Sequence, residues 1–163
     1  MLNTILPAVG LCLLLASPQS ATHSRDSVRE SPPSASASGT LTITLWPPNH
    51  KHVELDLNEI LGLGGEGGGS VTITDITQDE PINSTGDGNT VCDAFGVGGH
   101  VASVRAERRG PSNGRVYAIH FDIGGGEGGE FGSGVIFVTV PHDQSGRPAI
   151  DDGQNYDSGQ GCP

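Results

Sequence analysis

Positive charge is scarce in this chain. Eight Lys and Arg stand against 19 Asp and Glu in 163 residues, a formal net charge of −11. So acidic a chain is a poor match for nucleic acid or an anionic membrane surface. Aromatic residues are scarce too, at 4%, so any core must be built from Val, Ile and Leu. Long apolar runs are missing. The longest, 5–16 (ILPAVGLCLLLA), falls short of the roughly 20 residues a membrane-spanning helix needs. No G-x-S-x-G turn and no paired carboxylates in a recognisable acid/base frame are present, which removes the commonest hydrolase signatures. Glycine is abundant, 26 residues, yet it follows no G-X-Y period, so the chain is not collagen-like. Nor do Lys and Ser or Thr follow the glycines as a phosphate loop requires.

The short apolar run, followed by Ser17-Pro18-Gln19-Ser20-Ala21, reads as a signal peptide over 1–21, with cleavage after Ala21. That predicts a secreted or cell-surface protein that is not inserted in the membrane after cleavage. Residues 22–39 hold six serines and a Pro-Pro pair and almost nothing to bury, which predicts a disordered linker. Of the three cysteines, Cys12 goes with the signal segment. Cys92 and Cys162 remain as a candidate disulfide, with free thiols or a bridge between chains as the alternatives.

From Thr40 onward the apolar residues alternate with polar ones at period two, the signature of half-buried strands. Leu41, Ile43 and Leu45 share a face, as do Val53, Leu55 and Leu57, and Val71 and Ile73. Ala102, Val104 and Ala106 do the same more weakly. Tyr117, Ile119, Phe121 and Ile123 line up next, and 135–140 (VIFVTV) is apolar on both faces. Asn113-Gly114 reads as a hairpin turn between the fourth and fifth runs. Thirteen of the 26 glycines sit in two windows between strands, 62–69 and 124–134. The pattern predicts an all-β antiparallel sandwich of about seven strands over 40–153, with a small closed barrel as the alternative, glycine-rich loops and a flexible tail over 154–163.

The run 79–93 (DEPINSTGDGNTVCD) carries the densest oxygen ligands. Asp79, Glu80, Asn83, Asp87, Asn89 and Asp93 are candidate calcium ligands, because Ca²⁺ takes six to eight oxygens from short loops with glycines between them. The same residues also suit a polar surface loop that uses Asn, Asp and Gly for turns. Arg105, Glu107, Arg108 and Arg115 gather nearby in sequence, and the carboxylates of the acidic run make them candidate structural ion pairs. His50, His52, His120 and His142 leave open a small zinc or copper enzyme if three of them meet. Trp46, with Tyr117 or Tyr156, is either core or an exposed platform for stacking sugars.

Leu45-Trp46-Pro47-Pro48-Asn49-His50-Lys51, Asp79-Glu80-Pro81, Gly86-Asp87-Gly88-Asn89-Thr90, Arg105-Ala106-Glu107-Arg108, Asn113-Gly114-Arg115-Val116-Tyr117 and Val140-Pro141-His142-Asp143-Gln144 occur in this order. Together they resemble an immunoglobulin-like β-sandwich module of bacterial secreted and surface proteins, often found beside hyaline-repeat modules. The resemblance spans about 40–153. It implies an Ig-like fold and an extracytoplasmic setting but little about activity; taken with the signal segment and the strand pattern, the expectation is a non-enzymatic adhesive, scaffolding or recognition role, with an extracellular protein or polysaccharide as partner. It departs in the two glycine windows, and here the module stands alone behind the signal segment.

Overall fold

The computed structural model describes residues 40–63, 65, 69–125 and 132–163. The signal and linker readings over 1–39, and part of each glycine window, lie outside the described residues. Eight strands and one short helix follow one another. They are β1 (Leu41–Thr44), β2 (His52–Asp56), α1 (Leu57–Ile60), β3 (Ser70–Gln78), β4 (Ala94–Phe95), β5 (Val101–Arg105), β6 (Gly114–Gly124), β7 (Gly132–Pro141) and β8 (Tyr156–Asp157). The strands form two sheets, β1-β7-β6-β3-β8 and β2-β5-β4. The chain is all-β, and its single helical turn is held by the Asp56 carboxylate, which accepts from Asn58 N (2.9 Å) and Glu59 N (3.2 Å).

Alternation buries one side of the pleat in the first half of β3 (Val71, Ile73) and in β7 (Ile136, Val138, Val140), whereas 102–104 of β5 and 114–119 of β6 are buried on both faces and Leu41 of β1 stays exposed. Leu55, Ala102, Val104 and Ala94 of the smaller sheet meet Val71, Ile73, Ile119, Phe121, Ile136, Val138 and Val140 of the larger one in a single apolar cluster. Each fully buried Val, Leu or Ile there contributes about 1.5–3 kcal/mol. In β3 the buried positions change phase, from Val71 and Ile73 to Ile76 and Gln78. A bulge between Ile73 and Asp75 in the pairing with β6 absorbs the extra residue. Gln78 therefore points inward, where a simple alternation would have ended the apolar face.

Three expectations need correction. The sandwich is not wholly antiparallel, because β1 runs parallel to β7, with Leu41 opposite Ile136 and Thr44 opposite Thr139. Asn113-Gly114 does not close a hairpin, because β5 and β6 belong to different sheets and the segment between them crosses from one to the other. Gly114 has φ +106° and opens β6 in a crowded position. A Cβ there would lie 2.7 Å from Ala149 Cβ and 2.8 Å from Val140 O. The segment 154–163 is also no tail outside the fold. Tyr156 and Asp157 pair with Gln78 and Thr77. Ser158 then joins the sheets, donating N–H to Ile76 O (3.0 Å) and accepting from Ala94 N (3.0 Å). A disulfide between Cys92 and Cys162 fixes this closing segment to the loop before β4.

Candidate functional site

The strongest concentration of chemistry is a buried ionic network at one end of the two sheets. Its centre is Arg115, fully buried near the start of β6. The guanidinium donates through Nε to Glu80 Oε2 (3.0 Å), and through Nη1 to Asp93 Oδ2 (2.7 Å), Glu107 Oε1 (3.1 Å) and the Tyr117 hydroxyl (3.2 Å). Gln78 ties in from β3, its Nε2 donating to Asp93 Oδ2 (2.8 Å) and to Glu80 O (2.9 Å). Thr90 donates its hydroxyl to Glu107 Oε2 (2.7 Å), and His50 Nδ1 lies 3.3 Å from the same oxygen. Arg105 stands at the rim, with Nε 3.7 Å from Glu107 and 4.0 Å from Asp93. The Tyr117 hydroxyl donates to Arg105 O (2.9 Å), joining the start of β6 to the end of β5.

One buried guanidinium thus faces three buried carboxylates, with a second guanidinium at the edge. Burial, with the Asp93 carboxyl beside it, pushes Glu107 above the usual carboxylate range, though Thr90 and Arg115 oppose the shift. Burial likewise raises Tyr117, which stays a neutral phenol. Burial works against the charge of Arg115, but Tyr117, Asp93 and Glu80 outweigh it and hold the guanidinium protonated. Such an arrangement stores specificity in geometry: every partner must sit in place before the charge is compensated.

The acidic run does not gather around one point. Glu80 and Asp93 turn inward to Arg115. Asp79 accepts from Val116 N (2.9 Å) and Asp152 N (3.4 Å), and burial raises its pKa to about 6 despite those bonds. Asp87 folds its own loop, accepting from Ser84 N and from Asn89 N (3.1 Å), and these bonds outweigh desolvation to keep its pKa low. Asn83 and Asn89 adopt φ near +57° and +58°, a left-handed conformation that Asn tolerates better than most residues. Among the described residues, no three His, Cys, Asp or Glu side chains form a metal-holding group. His52 instead packs on Phe95 with ring centroids 5.2 Å apart, and the His142 Nε2–H donates to Gly110 O (3.2 Å).

Of the four residues read as ion pairs, Arg105, Glu107 and Arg115 meet in the network. Arg108 spends its Nη1 on the carbonyls of Arg109 and Gly110. Gln78, Thr90, His50 and Tyr117 were not foreseen as members. The alternation that puts Tyr117 on the core face was a usable signal for that one residue; the others needed the tertiary register.

A second feature lies at the far edge of the larger sheet. Beyond β1, Leu45 is buried while Trp46 is 43% exposed. The indole borders an open groove of about 370 Å³, shared with Thr44, Pro141, Asp143, Gln144, Arg147 and Pro148. Asp143 is shaped by the turn after β7: Ser145 N donates to Oδ1 (2.8 Å), and bonds from Ser145, with help from His142, lower its pKa to about 2. Tyr117 is fully buried, and Tyr156 lies in β8 at the opposite end of the sheet order. A platform of Trp46 with either tyrosine is therefore ruled out.

The fold and site together define an all-β, two-sheet protein with a charged core at one end and an exposed aromatic groove beside β1. Comparison with known protein families, with curated proteins and with solved structures finds no match.

Proposed function

We propose that this chain is an exported, non-enzymatic recognition module of immunoglobulin-like fold, acting as an adhesive or scaffolding unit outside a bacterial cell. The observation that carries the reading is the inward direction of its charge. Glu80, Asp93, Glu107 and Arg115 are spent on one another in the interior, a framework arrangement that leaves loops and a groove to meet a partner. The strand order supports the Ig-like assignment. With β3, β6 and β7 read as strands C, F and G, and β2, β5 and β4 as B, E and D, these six are grouped as in an immunoglobulin sandwich, while β1, parallel to β7, and β8 extend the C-F-G sheet at its two edges. The Tyr117 bond back to Arg105 O stands where that fold carries its tyrosine corner. The Cys92–Cys162 bridge and the placement of Trp46 outside β3 depart from antibody domains.

Expression of the full chain in a bacterium with Sec export tests the reading. A mature N-terminus at Thr22 and an oxidised Cys92–Cys162 bridge are expected. The purified chain should retain extracellular polysaccharide or protein without chemically changing it. Turnover accompanied by stoichiometric zinc or copper would overturn the proposal in favour of a metal-dependent enzyme.

Structural calcium is a second reading of the acidic loop. Glu80 Oε1 and Asp93 Oδ1 favour it, since both are buried without a hydrogen-bond donor among the described residues. A thermal midpoint raised by millimolar calcium and lowered by chelator would support it. An unchanged midpoint would remove it.

A further inference from the structure

We propose that the groove beside Trp46 binds a neutral polysaccharide, with a pyranose ring stacked on the exposed indole and its hydroxyls bonded by Asp143, Gln144 and Arg147. This deepens the recognition reading above and rests on it.

The argument begins with exposure. The indole is the largest apolar side chain in the chain, yet it is left 43% exposed while neighbouring Leu45 is buried. Pro141 and Pro148 border the same groove and supply further rigid apolar surface that loses little entropy on binding. Set against this surface are a carboxylate, a primary amide and a guanidinium. Carboxylate oxygens accept from hydroxyls, guanidinium N–H groups donate to them, and the amide does both. A sugar ring offers this combination in return: one apolar C–H face and a rim of hydroxyls that both donate and accept.

Charge selects among saccharides. Asp143 and Arg147 cancel within the groove, so an uncharged ligand loses nothing there. A polyanion would meet the field of a chain with net charge −11. The groove is preformed in part, because Asp143 is held by its bond from Ser145 N at 2.8 Å and the following turn by Gly146 at φ +85°. A proline-rich peptide would also stack on an indole, but it offers few donors to satisfy Asp143 and leaves the guanidinium without an acceptor beyond backbone carbonyls.

The chain contains one Trp, so intrinsic indole fluorescence reports on this site alone. The oxidised mature chain is titrated with soluble neutral glucan, mannan, galactan and xylan, with alginate as the polyanion and polyproline as the peptide. A saturable fluorescence change with at least one neutral glycan is expected, and little or none with alginate or polyproline. In affinity gels containing the responding glycan, Trp46→Ala should weaken retention about tenfold or more. Asp143→Asn and Arg147→Met should each weaken it several-fold, with thermal midpoints near that of the parent chain. Silence with every neutral glycan, an equal response to alginate, a response to polyproline alone, or full retention by Trp46→Ala would overturn the assignment. Reducing-end release separates the two levels. Cleavage of a bound glycan would sink the non-enzymatic reading, whereas an exported, inactive chain that binds no glycan would sink only the groove assignment.

Discussion

Replacing Arg115 with Met removes the cation shared by Glu80, Asp93 and Glu107 while roughly keeping the volume of the aliphatic stem. Breaking one buried ion pair costs about 3–5 kcal/mol, because the survivor is left charged in a poor solvent. Here three carboxylates lose their common partner, and Arg105 at the rim compensates only in part. A carboxylate stranded in this way escapes by taking a proton, which becomes costlier by about 1.4 kcal/mol for each unit of rising pH. Arg115→Met should therefore lose about 3–5 kcal/mol or more at pH 7. A domain holds about 5–15 kcal/mol in total, so the variant sits near the edge of folding. Most of the loss should return by pH 5. Urea unfolding followed by far-ultraviolet circular dichroism at both pH values reads this directly, the parent chain serving as reference. The combination of Arg115→Met with Glu80→Gln, Asp93→Asn and Glu107→Gln should recover much of the pH 7 loss. A loss below about 1 kcal/mol at pH 7 would refute the account of the network, as would a loss equal at the two pH values.

The parent chain has its own pH signature. Asp79 is raised to about 6, and Glu107 is raised as well. The folded state therefore binds these protons more tightly than the unfolded one, and stability should fall as pH rises from about 4 to about 6. Asp79→Asn should flatten that slope and be no less stable than the parent at pH 7, with thermal midpoints across the range as the check; an unchanged slope would count against it. Below about pH 4 the low pKa of Asp87 acts in the opposite sense, and stability should drop again. The Cys92–Cys162 bridge spans 70 residues, so Cys92→Ser with Cys162→Ser should cost about 4 kcal/mol in the chain-entropy account. A chemical denaturation midpoint equal to that of the oxidised parent would contradict this. Gly96→Ala should lower the unfolding free energy by at least about 1–3 kcal/mol through backbone strain. Its φ is +126° and a Cβ would fall 2.2 Å from Val101 O. A neutral result there would mean that the turn before β5 is free to shift.

Much of the architecture was legible because strand formation depends on a local rule. The pleat places every second side chain on one face, so Val71 and Ile73, Ala102 and Val104, and Ile119 and Phe121 announced their buried side from spacing alone, whereas Leu57 is buried as the first residue of α1. The rule fails where the pleat is interrupted. The bulge in β3 turned Ile76 and Gln78 inward, out of phase with Val71 and Ile73. Two-residue strands such as β4 and β8 are too short to show a period. β8 takes its place from β3, far earlier in the chain, and β4 from β5 just beyond the turn that follows it.

What the sequence determined by itself is the class of the protein: an all-β body made of short alternating strands, poor in aromatics and dense in acid over 75–93. Tertiary structure decided what that acid is for. Glu80, Asp93 and Glu107 lie 35, 22 and 8 residues from Arg115; Glu80 meets it because β3 runs antiparallel to β6 with Gln78 opposite Tyr117, and Asp93 and Glu107 meet it from the β4–β5 side, where Arg105 N donates to Asp93 O. It also decided that Asn113-Gly114 leads across to the other sheet, that the C-terminal segment closes the fold, and that Trp46 stays open while Tyr117 is buried. Periodicity is written residue by residue, whereas register and the compensation of a buried charge exist only between segments distant along the chain, which is why folding alone could settle them.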